Sequence, residues 1–127
     1  MAALNNTPDS KILIIDDNQD VLSVLSLLLE MQGFSVSTAQ DGLEGLDRMK
    51  TDDHISLVLL DLCMPVMDGW EFLRRKTNDP RIAEIPVIVI SAVSPDSLDG
   101  VEAVLRKPVD VEALINVVRR HAFKEAA

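Results

Sequence analysis

Three four-residue aliphatic runs in the chain each stop on a polar side chain. Ile12-Leu13-Ile14-Ile15 meets Asp16-Asp17, Leu57-Val58-Leu59-Leu60 meets Asp61, and Val87-Ile88-Val89-Ile90 meets Ser91. A shorter stretch, Ala103-Val104-Leu105, meets Arg106-Lys107-Pro108. Near-continuous aliphatic runs suit strands buried on both faces, so the pattern predicts a parallel sheet covered by helices. Strands are expected at about 11–15, 57–60, 87–90 and 103–106. A more exposed strand is expected where Phe34, Val36 and Thr38 alternate with serines.

Helical spacing fills the intervals. Asn18 or Asp17 can cap a first helix carrying Val21, Leu22, Val24, Leu25, Leu28 and Leu29, and Gly33 stands where a left-handed C-terminal cap belongs. Asp41-Gly42 opens a second helix, with Leu43, Leu46 and Met49 on one face. A third runs from about Gly69 to Lys76 before Asn78-Asp79-Pro80. The last begins near Asp110 and carries Val111, Leu114, Ile115, Val118 and His121. Strand–helix alternation of this kind indicates a doubly wound α/β fold. Residues 1–10 read as a flexible N-terminal tail, and residues 11–124 as one domain without a linker.

Composition narrows the class. At 127 residues the chain has the common size of a single domain. It has no apolar span long enough for a membrane helix and no secretory leader pattern at Met1–Ser10, so no membrane partner is expected. The lone Cys63 cannot form an internal disulfide, which suits a reducing cytoplasm. A formal charge of −9 argues against nucleic-acid binding through phosphate neutralisation.

In an open α/β sheet, ligands bind beyond the carboxyl ends of the strands, where the polar residues of this chain fall. Three carboxylates converging there repel by roughly 4 kcal/mol per pair at about 4 Å and an effective dielectric of about 20. A hard divalent cation relieves that repulsion. Mg2+ suits the set because it binds through few carboxylates and keeps waters that a phosphate can replace. Lys107 adds an ammonium and Ser91 a hydroxyl, which together can stabilise a transferred phosphoryl group. Asp61, the single acid on the middle strand, is the best candidate nucleophile. Each residue alone has an ordinary reading: Asp16, Asp17 and Asp61 as caps, Ser91 as a strand end, Lys107 as a solvated charge. Their joint occurrence at four strand ends argues for a site. Cys63 reads as a small apolar filler, Trp70 as packing along the third helix, and His54 and His121 as surface residues.

The set Asp16-Asp17, Asp61, Met64-Pro65-Val66-Met67-Asp68-Gly69, Ser91-Ala92 and Lys107-Pro108 resembles the receiver domain of two-component response regulators over about residues 10–124. The resemblance implies a flavodoxin-like five-stranded parallel sheet in the order 2-1-3-4-5. It implies that Asp61 accepts phosphate from a histidine kinase or phosphotransfer protein. Asp17 would then ligate Mg2+ directly, Asp16 would assist, and Asp61 and the backbone carbonyl of Cys63 would complete the protein ligands. Lys107 would pair with Asp61 or its phosphate, Ser91 would turn inward to the phosphoryl oxygen, and Lys107–Pro108 would be cis.

Two departures stand out. Only residues 92–106 separate Ser91 from Lys107, so the fourth helix, between the fourth and fifth strands, is expected to be shortened, to about one turn at 95–99, or absent. Val104 occupies the position three before the lysine, where the family usually carries an aromatic that reports phosphorylation. The leading expectation is a stand-alone phosphoacceptor that signals by contact with a further protein target, or relays phosphate, and does no more than slow self-dephosphorylation. A receiver-like interaction module with phosphorylation-independent output is the alternative. A small phosphohydrolase is disfavoured because nothing after Asp61 offers a general acid or a substrate cap.

Overall fold

The computed structural model describes residues 10–93, 98 and 100–122. The elements are β1 (Lys11–Ile15), α1 (Gln19–Met31), β2 (Ser35–Ala39), α2 (Gly42–Thr51), β3 (Ile55–Leu60), α3 (Gly69–Thr77), β4 (Val87–Ser91), β5 (Ala103–Arg106) and α4 (Val111–Ala122). The five strands form one sheet in the order β2-β1-β3-β4-β5, every neighbouring pair parallel. β3 starts two residues before its aliphatic run, because Lys11 N–H bonds the His54 carbonyl and pulls Ile55 into the ladder.

The period of two along each strand divides the core into two layers. Leu13, Ile15, Val58, Leu60, Val87 and Val89 face α2 and α3, where Leu46, Met49 and Phe72 meet them. Ile12, Ile14, Leu57, Leu59, Ile88 and Ile90 face α1 and α4, against Leu22, Leu25, Leu29, Leu114 and Val118. Strands buried on both faces account for the unbroken aliphatic runs.

Local chemistry fixes the helix ends. Asn18 caps α1, its side-chain oxygen accepting from the Asp20 and Val21 amides at 2.9 and 3.2 Å. Gly33, with φ of 93°, closes that helix in a left-handed turn. Gly33 N–H bonds Glu30 C=O and Phe34 N–H bonds Leu29 C=O, the paired bonds of a Schellman cap. Asp41, Asp68 and Asp110 begin the other three helices by accepting amides of their first turns.

Several expectations need correction. Leu43 and Val24 are exposed, because Gly42, Gly45, Leu46 and Met49 form the buried face of α2 and Leu22, Leu25 and Leu29 that of α1. Trp70 lies along α3 as read, half-open to solvent, and lines a shallow cleft with Leu73, Arg74 and Leu98. Lys76, on whose burial the sequence carried no expectation, is buried, and its ammonium donates to the Ala83 carbonyl at 2.8 Å. β5 is half-covered, its residues alternating between half-buried and exposed with Val104 at 45%. Described residues 92, 93, 98 and 100–102 form no helix. The turn expected at 95–99 falls, apart from Leu98, outside the described residues, as do residues 1–9 of the N-terminal tail. Leu98 and Val101 pack against the α2–α3 layer from this short connection.

Replacing the α1 cap, Asn18→Ala, should cost about 1 kcal/mol and leave the site residues in place. Urea denaturation with an unchanged m-value checks it.

Candidate functional site

Each strand ladder continues one step past its strand and thereby sets the site. Asp16 N–H bonds Ala39 C=O, Asp61 N–H bonds Ile15 C=O, and Lys107 N–H bonds Ser91 C=O. Since Ile15 pairs with Leu60, Asp16 and Asp61 lie at one level on adjacent strands. Strand alternation carries Asp16, Asp61 and Lys107 to the side of the sheet that holds Ile14, Leu59 and Leu105. Ser91 ends β4 and is fully buried. The Lys107–Pro108 peptide is cis, as the resemblance implied.

Carboxylate oxygens of Asp16, Asp17 and Asp61 lie within 4.8 Å of one another. Asp16 and Asp61 are 3% and 7% exposed, whereas Asp17 is open to solvent. The cluster therefore has a buried floor of two acids and an accessible rim of one. Three hard oxygen donors at this separation, one of them open to water, fit Mg2+. Cys63, beside them, is exposed rather than filling a gap in the core.

Lys107 is the cation that the sequence placed here, but its closest partner was not foreseen. Its ammonium donates to Asp16 Oδ2 at 2.8 Å and stands 3.7 Å from Asp61 Oδ2. The other oxygen of Asp16 accepts the Asn18 amide at 2.9 Å. Burial pulls the Lys107 ammonium down, but the hydrogen bond and charge of Asp16, with Asp61 and Asp17, outweigh it and hold its pKa above the usual value. Burial and the neighbouring Asp16 push the Asp61 carboxyl above its usual range, against the opposing pull of Lys107 and the Cys63 amide. Ser91 Oγ accepts from the Val93 amide at 3.3 Å, which leaves its own proton free to donate.

The loop after Asp61 is held firmly. Gly69 N–H bonds Leu62 C=O at 2.8 Å, and a Cβ at Gly69 would come within 2.8 Å of the Asp61 carbonyl and 2.7 Å of Leu62 Cα. Only glycine allows α3 to start this close to the acidic strand end. Val66 sits at φ 68° in a tight turn closed by Met67 N–H to Pro65 C=O, an unusual conformation for a β-branched residue. Gly42 N–H at the start of α2 bonds Met67 C=O and anchors that turn.

The family model for the response regulator receiver domain matches residues 12–119. The chain belongs to the response regulator receiver domain family. Receiver domains are the signalling modules of two-component systems, and members bind Mg2+ at an acidic pocket. The DNA-binding dual master transcriptional regulator RpaA of a Synechocystis strain is 36% identical over 115 residues, 86% of this chain and 47% of that protein. The chain thus spans about half the length of that relative. The two-component response regulator ORR3 of rice is 32% identical over 120 residues, 87% of this chain and 92% of its own length. Among solved structures, a response regulator receiver protein from Pseudomonas putida superimposes with a TM-score of 0.82 at 27% identity, covering 87% of this chain and 96% of that one. The Vibrio cholerae chemotaxis protein CheY4 gives 0.80 at 25% identity, covering 88% and 98%.

The raised Asp61 pKa has a consequence for stability. An acid whose pKa is higher folded than unfolded binds more protons in the folded state, so stability falls as pH rises through the window between its unfolded value and the raised native value. Without divalent cations, Asp61→Asn should therefore raise Tm at neutral pH, by on the order of a few degrees. The gain should vanish below the unfolded carboxyl range, near pH 3 to 4, where the parent is protonated in both states. Calorimetric melting across pH checks both sign and window.

Proposed function

We propose that this receiver domain is a phosphoacceptor in which Asp61 takes the phosphoryl group of a phosphohistidine on a histidine kinase or phosphotransfer protein. The observation that carries this reading is a buried Asp61 with two further carboxylates and the Lys107 ammonium around it. A carboxylate oxygen of Asp61 forms the new bond to phosphorus as the phosphorus–nitrogen bond breaks, giving an acyl phosphate and a neutral imidazole after proton uptake. Asp16, Asp17, Asp61 and the Cys63 carbonyl would hold Mg2+, which when bound neutralises charge on the cluster and on the phosphoryl oxygens. Lys107 offers its ammonium to the same oxygens, and Ser91 its free hydroxyl proton.

A protein donor, rather than a small phosphate ester, is supported by an apolar cleft of about 330 Å³ beside Lys107. Val21, Val24, Leu25 and Leu28 of α1 line it, with Pro108 and Val109 opposite. A phosphorylation-independent module gains no support from these side chains, since contact alone needs no buried acid–lysine cluster.

Acetyl phosphate with Mg2+ should label one residue, Asp61, read by intact mass and peptide mapping. Asp61→Asn should remove the label, and Asp17→Asn should slow labelling at least about tenfold. Full labelling of Asp61→Asn sinks the assignment, and no labelling of the parent by any donor favours the phosphorylation-independent module.

Hydrolysis should be slow. Cys63 and Val93, two positions beyond Asp61 and Ser91, are both exposed, and neither orients an attacking water through a strong hydrogen bond. Introducing Cys63→Asn and Val93→Glu together should speed loss of the phosphoryl group by about tenfold or more. Equal decay of parent and double variant would refute this gate.

A further inference from the structure

Helix α1 is apolar on two sides. Leu22, Leu25 and Leu29 bury one of them in the core. Val24, Leu27, Leu28 and Met31 form the second at the spacing i, i+3, i+4, i+7, and Val24, Leu27 and Met31 are 56%, 59% and 72% exposed. From Val21 to Leu29 the chain carries no charged residue, although charged residues make up 26% of the whole. Val111, at the start of α4, is exposed too and lines the same cleft as Val24 and Leu28. A surface helix needs one apolar stripe to join the core, and a second, contiguous one on the open side marks a contact surface.

The charges at the two ends of the stripe select what covers it. Asp20, one turn before Val24, stands at its N-terminal end. At its C-terminal end Arg119 reaches across from α4, its guanidinium bonded to the Gln32 side-chain oxygen and 5.9 Å from the centre of the Phe34 ring. Asp20 and Arg119 are both exposed. An acid at one end and a cation at the other are self-complementary when two copies of α1 lie antiparallel about a two-fold axis between Leu27 and Leu28. At a rise of about 1.5 Å per residue, Asp20 then lies about 11 Å from the axis, level with the end of the other copy's helix, where Arg119 is held. A parallel pairing would set like charges together.

We propose that the exposed stripe of α1 is a self-association surface on which two copies of the chain pair antiparallel, Asp20 of each against Arg119 of the other. The formal charge of −9 on each copy opposes pairing, and the uncharged seam with its two end contacts is where that repulsion is overcome. The seam is only about two helical turns long, so pairing is reversible and follows concentration. It also covers Val24 and Leu28, so a paired receiver offers no cleft to a protein donor. That consequence rests on the donor reading above, whereas the pairing itself does not.

Sedimentation velocity of the full chain at physiological ionic strength, without a phosphodonor, should show the mass moving from one chain to two as concentration rises from about 1 to 500 µM. Leu27→Gln with Met31→Gln removes apolar surface at exposed positions without adding charge, and should weaken pairing at least about tenfold. A parent that stays monomeric throughout overturns the proposal, as does undiminished pairing of the double variant.

Charge exchange tests the arrangement. Asp20→Lys alone and Arg119→Glu alone each create two like-charge contacts per dimer, and each should weaken pairing about tenfold or more. Mixed in equal amounts, the two variants regain both attractive contacts and should pair within about threefold of the parent. A mixture no tighter than its components overturns the antiparallel dimer. No phosphoryl transfer enters these measurements, so their failure leaves the phosphoacceptor reading intact, and failure of Asp61 labelling leaves the pairing intact.

Discussion

Like charges forced together at one sheet edge are the constraint around which this domain is organised. Parallel pairing of β1 with β3 sets Asp16 and Asp61 side by side, and the turn into α1 adds Asp17 within 4.8 Å. Such a set is unfavourable by itself, so the structure must supply a compensating cation. Lys107 does so from β5's far end, across the sheet, through its bond to Asp16 and its attraction to Asp61. The cost of the cluster is borne by the rest of the fold: two layers of aliphatic side chains and α3 packed directly on the Asp61 carbonyl at Gly69. Concentrating buried charge in this way works against stability, as is common at functional sites.

The connection between β4 and β5 shows a different economy. Residues 92–102 join two parallel strands over a span where a full helix is the ordinary solution. Leu98 and Val101 of this connection pack on the α2–α3 layer, and Val104 is exposed. Ser91, at the start of this connection, accepts from the Val93 amide, so the buried hydroxyl at the end of β4 also anchors the first residues after it.

Much of this was legible in the linear chain, for identifiable reasons. A strand buried on both faces must be aliphatic throughout, so the three runs announced a covered parallel sheet, and each polar terminus marked the ligand-binding edge. Cap chemistry is local: Asn18, Gly33, Asp41 and Asp68 satisfy backbone groups within a few residues of themselves and were readable without any tertiary knowledge. The family motifs, ordered along the chain, gave the strand order and the cis Lys107–Pro108 bond.

What the tertiary structure decided was which side chains are covered and which acid the lysine prefers. Periodicity states the direction a residue faces on its own element, but not whether another element lies opposite. Leu43 therefore read as sharing the face of Leu46 and Met49 and proved exposed, and Cys63 read as filler and is open. Likewise, sequence order could bring Lys107 to the cluster, yet 2.8 Å to Asp16 against 3.7 Å to Asp61 depends on the register between β1, β3, β4 and β5 and on the reach of one flexible stem. Sequence spacing specifies a neighbourhood of several ångströms, and the choice between two partners inside it is made by three-dimensional packing.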